Sequence, residues 1–471
     1  MSYDAIVVGS GPNGLSAAIT LQREGLQVLL LEAKETIGGG MRTAELTLPG
    51  FFHDVCSAVH PMGATSPFFR TLPLHDFGLQ YLYPEVLAAH PFDDGTAAAL
   101  YRSISDTAAG LGRDGQTYRQ LFESLTEDWP RIEEHILGPM LKWPKHPLAL
   151  AGIGLKLLQS GKQIASRFKT KQLRGLWSGI VAHSMIPLDS LTSSAIAFVL
   201  TIAGHRAGWP IPKGGSQRIA NALAGYFQSL GGTIQTGSPV TSLSQLPESK
   251  AVLFDTSPKQ LLEICGDRIS GLYRWQLKRH RYGMGVFKVD WALSEPAPFL
   301  AQQARKAGTV HLGGTFEEVA AGERAVWRGA CPDNPFVLFA QQSVFDDTRA
   351  PDGKHTGWAY CHVPNGSSRD MTEAITAQVE RFAPGFRDTI LATHTFDTVS
   401  MESYNPNYIG GDINGGVVNI AQLFNRPALR FSPYRTAARG IYLCSASTPP
   451  GGGVHGMGGY HAATQALKDL F

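Results

Sequence analysis

A glycine-spaced turn followed by an acid is the first place where this chain could do chemistry. Gly9-Ser10-Gly11-Pro12-Asn13-Gly14 reads G-x-G-x-x-G, and Glu32 stands 18 residues after Gly14. The apolar run Ala5-Ile6-Val7-Val8 leads in, and a helix with Leu15, Ala18 and Ile19 on one face leads out. With the second run, Val28-Leu29-Leu30-Leu31, the order is strand, turn, helix, strand, acid, which is the arrangement that binds dinucleotides. Gly9 permits the tight turn, and Gly11 admits a pyrophosphate close to the backbone. Pro12 and Asn13 complete the loop, and Gly14 lets helix and strand pack closely. The helix N-terminus then faces phosphate charge. Glu32 is placed to accept hydrogen bonds from an adenosine ribose. A carboxylate there favours an unphosphorylated ribose, so FAD or NAD rather than NADP.

The chain after Glu32 continues the same surface. Ala33 begins a loop that reaches Gly38-Gly39-Gly40-Met41-Arg42-Thr43. Three consecutive glycines cannot sustain a helix or strand interior, and they let main chain approach a ligand. Arg42 beside them offers a charged fork to a phosphate. Ala33, Gly39, Gly40, Met41 and Arg42 therefore join the candidate cofactor residues.

Several elements must hold these loops. Residues 76–205 carry helical periodicity, and from His135 to Leu188 there is no acidic residue while Lys142, Lys145, Lys156, Lys162, Arg167, Lys169, Lys171 and Arg174 are basic. A basic amphipathic segment interleaved with leucines and tryptophans suits either a helical cap with solvated lysines or peripheral contact with an anionic membrane. Ser216 is placed as the N-cap of a helix with Ile219, Leu223 and Phe227 on its buried face. Strands are expected at 233–236, 240–243 and 251–255, then at 286–291, 336–340 and 358–363, with a helix over 371–382. Near the end, Gly440-Ile441-Tyr442-Leu443-Cys444 reads as a strand before the glycine-rich Gly451-Gly452-Gly453-Val454-His455-Gly456-Met457 and a final helix.

Composition narrows the class. A chain of 471 residues with a formal charge of +2 exceeds one simple core and carries no bulk charge for nucleic acid. Its five cysteines are scattered without C-x-x-C, which fits a reducing, cytoplasmic compartment and argues against zinc or a dithiol centre. The first apolar run is a strand with an acidic Asp4 before it rather than a secretory leader. No apolar run is long enough to span a bilayer.

Glycine fingerprint, Glu32 and G-G-x-R-T together resemble the opening of the two-dinucleotide-binding-domain flavoproteins, among them amine oxidases, phytoene desaturases and the Rab GDP-dissociation inhibitors. The continuation Leu48-Pro49-Gly50-Phe51-Phe52-His53-Asp54-Val55-Cys56-Ser57-Ala58-Val59-His60-Pro61 is similar to the phytoene-dehydrogenase-related family. The resemblance implies an α/β fold. Its Rossmann-like FAD-binding domain would be built from 1–75, 206–275 and 425–471, and an α+β substrate domain from 76–205 and 276–424, with 135–188 as its basic helical cap. It implies FAD as cofactor, backbone contact of Val240 with the adenine, and a C-terminal return that brings Val454, Gly456 and Met457 to the isoalloxazine. The family's glycine-aspartate-alanine is absent, and Ser447 stands in for it toward the ribityl hydroxyls.

Such flavoproteins need a C–H bond held near flavin N5 in a dry cavity, and the flavin supplies the hard step. No metal site or catalytic triad is therefore expected. His60, ahead of Pro61, is the first candidate to face the isoalloxazine as acid or base, and His455 is the second. Three functions stay open: FAD-dependent desaturation of an apolar, isoprenoid- or carotenoid-like small molecule by hydride transfer to N5; redox-neutral polyene isomerisation; and a flavin-free lipid carrier. Substrate, electron acceptor and oligomeric state are not encoded legibly.

Overall fold

The computed structural model describes residues 2–139, 143–423 and 425–471. Two sheets organise them. In chain order their strands are β1 (Ala5–Val8), β2 (Val28–Leu31), β3 (Val86–Pro91), β4 (Ala97–Leu100), β5 (Thr233–Gln235), β6 (Ala251–Phe254), β7 (Gly285–Leu293), β8 (Ala307–Leu312), β9 (Val337–Ala340), β10 (His355–Val363), β11 (Ile390–Phe396) and β12 (Ile441–Leu443). The helices that bear on the site are α1 (Pro12–Arg23), α2 (Gly115–Ile136), α3 (Pro147–Leu157), α4 (Lys171–Ala182), α5 (Ser193–Ala207), α6 (Gln217–Ser229) and α7 (Met457–Leu470).

The first sheet is parallel and Rossmann-like, in the order β12-β6-β1-β2-β5. Its inner strands are buried on both faces, which is why β1 and β2 read as unbroken apolar runs rather than alternations. Register is what matters for function. Val8 stands beside both Leu31 and Phe254, and Phe254 beside Leu443. Gly9, Glu32, Asp255 and Cys444 therefore leave the sheet at one edge, the carboxyl edge where α/β sheets bind ligands. On this sheet α1 packs against α6 and α7.

The second sheet has the order β11-β7-β10-β9-β8-β3-β4 and is antiparallel except where β8 runs parallel to β3. β7 is buried along all nine residues, not half-buried as its alternation suggests, because strands flank it and helices cover it. β3 and β4 lie inside the stretch expected to be helical. The alanine-rich β3 becomes strand through the distant pairing of Ala88 with Thr309, and β4 through pairing back onto β3, Leu100 with Ala88. The strand expected at 240–243 is absent. Ser242 instead caps the single turn Leu243–Gln245.

The segment 135–188 forms α3, the short helix Gly161–Ala165 and α4. Lys142 lies outside the described residues. Acids from elsewhere reach this basic stretch: Lys145 pairs with Glu134, Lys171 with Asp94 and Arg174 with Glu317. Trp143 and Leu148 are exposed beside it, at 87 % and 88 %. Among the described residues no helix is long and apolar enough to cross a membrane.

Burial lowers the pKa of His53 and His183 to about 3, and of His60, His90, His205, His280 and His455 to about 4. Unfolded histidines take a proton near pH 6.5, well before any of these does. Between those values the unfolded chain binds more protons than the native one, so stability falls as pH falls. Asp255, pushed up by burial to about 7, and Asp290, pushed to about 6, act with the opposite sign. Burial also lowers His311, His355 and His394 and raises Asp412, so three carboxyls stand against ten histidines. The melting temperature should decline steadily from about pH 6.5 to about pH 4.5; a flat or rising profile in differential scanning calorimetry would refute this balance.

Candidate functional site

The four strand ends open onto one cavity of about 590 Å³, within the usual range of small-molecule sites. One part is bordered by Gly9, Ser10, Gly11, Pro12 and Asn13, by Glu32, Ala33, Gly39, Gly40 and Arg42, and by Val240 and Asp255. The other part is bordered by Met62, His183, Met185, Ile196, Leu200, Trp209, Thr309, Leu338 and Tyr360. His60, Trp358, Tyr404, Tyr408, Ser447 and Val454 also line the cavity.

Gly11 is the N-cap of α1 and has no side chain to cap it; Pro12 at the first position has no N–H, and the first turn borders the cavity through Pro12 and Asn13. Gly9 sits at φ +100°, and a Cβ on it would lie 2.9 Å from the Asp255 carbonyl oxygen. A Cβ on Gly11 would come within 2.6 Å of Asp255 Oδ2, and one on Gly39 within 3.0 Å of Gly11 Cα. Glycine main chain and the Asp255 carboxyl border this space. Gly14 is not at the wall. Its absent side chain lets α1 pass the carbonyl oxygen of Gly9.

Glu32 is buried at 7 % exposure and fully engaged. Its Oε2 accepts from Ser10 N (3.0 Å) and Ser10 Oγ (2.5 Å), and its Oε1 from Lys34 N (2.9 Å) and an Arg42 guanidinium nitrogen (3.1 Å). Arg42 reaches the cavity wall, yet its fork is directed at Glu32 and the Thr36 carbonyl rather than left free for a phosphate. Met41 is fully buried and belongs to the core beneath the loop.

The C-terminal return meets the first turn directly. Gly459 N–H donates to Asn13 Oδ1 at 3.3 Å, and Ser66 Oγ donates to the His455 carbonyl at 2.6 Å. Ser447 and Val454 line the cavity, with Ser447 Oγ donating to Gly415 O at 2.7 Å. Gly456 and Met457 form the start of α7 behind that wall. His455 is not at the wall either: its Nδ1 accepts the Met457 N–H at 3.1 Å, so its ring caps α7. His60 does line the cavity. Ser216 Oγ donates to Ser57 O at 2.6 Å and so accepts from His60 Nε2, 2.7 Å away. That contact, and not the expected helix cap, is what Ser216 does.

Sequence reading missed Asp255, whose Oδ2 accepts the Gly14 N–H at 2.9 Å at the N-terminus of α1. Burial raises its pKa to about 7 against that hydrogen bond, and the nearby Glu32 adds to the rise. The signal was available: it is the residue after a buried parallel strand, at the same edge as Gly9. Trp358 and Tyr360 were also missed as wall residues, being read only as strand. Behind Trp358, Lys288 pairs with Asp290, and Arg349 with Asp54 and Asp346, all buried. Trp358 Nε1 donates to Asp54 O at 2.9 Å, which fixes that wall.

Comparison with known proteins agrees with this geometry. The family model described as flavin containing amine oxidoreductase matches residues 13–456. Pyridine nucleotide-disulfide oxidoreductase domain-containing protein 2 of Mus musculus is 26 % identical, with 99 % of this chain and 94 % of the relative covered. A limonene dehydrogenase polypeptide of Castellaniella defragrans is 22 % identical, covering 99 % and 95 %. A triple mutant of putrescine oxidase has the same fold, with a TM-score of 0.64 at 17 % identity over 99 % of this chain and 98 % of that one. With most of its length matched, and with a glycine cradle that suits an adenine dinucleotide, the chain belongs to the flavin containing amine oxidoreductase family and is an FAD-dependent oxidoreductase.

Proposed function

We propose that the enzyme dehydrogenates an uncharged, largely apolar small molecule of isoprenoid type. The observation that carries this is the far part of the cavity. Met62, Met185, Ile196, Leu200, Trp209 and Leu338 make it apolar, and no carboxylate lines it among the described residues. A buried alkylammonium without a paired anion is costly, so an amine suits this lining poorly. The limonene dehydrogenase relative supports a terpene-sized substrate.

Bound FAD would supply the two-electron acceptor, held by Gly9, Gly11, Gly39, Glu32 and the N-terminus of α1. The chain's own part is placement and dryness. Trp358 and Tyr360 form part of the cavity wall. His60 stays neutral, because burial lowers its pKa to about 4. With Nε2–H given to Ser216, its Nδ1 is the ring atom able to take a proton from substrate.

Mixing the anaerobic holoenzyme with limonene and other neutral monoterpenes should bleach the oxidised flavin, whereas putrescine and cyclohexylamine should not. Bleaching by the amines alone, or isomerised product with the flavin still oxidised, would sink this assignment. Asp255 adds a second expectation. Neutral below about pH 7, it becomes a carboxylate above it, beside the site of the pyrophosphate. The Kd for FAD should then rise by up to about tenfold per pH unit above 7. Asp255→Asn should flatten that rise in equilibrium dialysis, and an unaltered slope in the variant would remove Asp255 from the cradle.

A further inference from the structure

The cavity's far part is mostly apolar, and its polar side chains are Thr309, Tyr360 and His183. His183, just past the C-terminal end of α4, lines it, and its Nε2 lies 2.9 Å from Nε2 of His311. The two rings are 5.0 Å apart at 73°, and Trp209 stands edge-on to His183 at 6.1 Å. His311 is fully buried on β8, two residues from Thr309, so the Thr309 and His311 side chains share one face of the strand. Room for the His311 ring exists because residue 179 is glycine: a Cβ there would meet His311 Nδ1 at 2.6 Å.

This contact has a direction. Two facing nitrogens need one proton between them. His311 Nδ1 is buried without a partner among the described residues. A buried N–H left unpaired costs more than an unused lone pair, so the His311 proton sits on Nε2 and is donated to His183 Nε2. His183 then carries its own proton on Nδ1. That nitrogen has no protein partner among the described residues and is left to the cavity. Burial keeps both rings neutral, lowering His183 to about 3 and His311 likewise below its usual range.

We infer that His183 Nδ1–H, oriented by His311, is a binding site for an uncharged oxygen acceptor on the substrate, a ketone, ether or hydroxyl oxygen at the end of an otherwise hydrocarbon skeleton. This rests on the reading of the far part as the substrate site and makes it more specific. A pure hydrocarbon would bury the N–H unpaired, and an ammonium would meet a donor rather than an acceptor.

Carvone and limonene test it, since they share a skeleton and differ by one carbonyl oxygen. Binding to the FAD-loaded enzyme is read by quenching of tryptophan fluorescence, with Trp209 and Trp358 in the wall. Wild type should bind carvone about tenfold more tightly than limonene, the size of one buried hydrogen bond. His183→Phe should bring that ratio to about one, and His183→Asn should restore part of it. Crystals of the wild-type enzyme with carvone, which need no variant to fold, should place the oxygen against His183 Nδ1. Equal affinity in wild type, an unchanged ratio in His183→Phe, or a carvone oxygen bound elsewhere overturns the donor while leaving the apolar site standing. Binding of putrescine with neither terpene bound overturns the substrate-site reading and this inference with it.

Discussion

Close approach of main chain at the start of α1 is the constraint on which the rest depends. Three segments far apart in sequence meet there: the glycine turn after β1, Asp255 after β6, and the first turn of α7. Each contact is a backbone-to-backbone or backbone-to-short-side-chain distance that a Cβ would violate. Gly14 passes the Gly9 carbonyl, and Gly459 passes the Asn13 carbonyl. Close packing of this kind leaves little slack for added volume. A helix N-terminus held there by both ends of the chain is a fixed positive pole rather than a mobile one, and the cavity takes its shape from it.

The charge pattern follows from that pole. Glu32 and Asp255 stand beside it, and each is compensated differently: Glu32 by four donors, Asp255 by the Gly14 N–H and by a pKa raised toward neutrality. Ionic groups near the far part are set behind its wall, where Lys288 meets Asp290 and Arg349 meets two carboxylates. Burial pushes the Asp290 carboxyl up and the Lys288 ammonium down, against their mutual attraction. Buried clusters of this sort contribute little net stability. Here Arg349 and Asp54 tie the Phe52–Asp54 strand, whose Asp54 carbonyl holds Trp358, to the loop at Asp346.

How much of this was legible in the sequence depends on the range of the interaction. The fingerprint, Glu32 and the C-terminal glycine segment are local patterns with local causes, and the elements they announce are present at β1, α1, β2, β12 and α7. β3 was illegible because its alanine-rich segment acquires strand geometry from a partner more than two hundred residues away, Thr309, and β4 follows by pairing back onto β3. Side-chain direction was the other blind spot. His60 and His455 read alike beside glycine-rich loops, yet one lines the cavity and the other caps a helix, since Ser216 and the Met457 amide decide where each ring points. Arg42 read as a phosphate fork because nothing in the sequence says that Thr36 O lies within its reach.

His183 shows why the same limit hides specificity. Within the chain it is one more polar residue at the end of a basic segment, and only the glycine at 179 and the parallel pairing of β8 bring His311 against it. Once paired, the two rings add an oriented N–H donor to a wall that is otherwise mostly apolar. An apolar molecule slides in a greasy cavity and presents several C–H bonds in turn. A molecule with one oxygen anchored at His183 presents a narrower set to the cofactor. The cost of leaving that N–H unpaired falls on every other pose. Regioselectivity under this inference comes from a hydrogen bond at His183 rather than from the apolar lining alone.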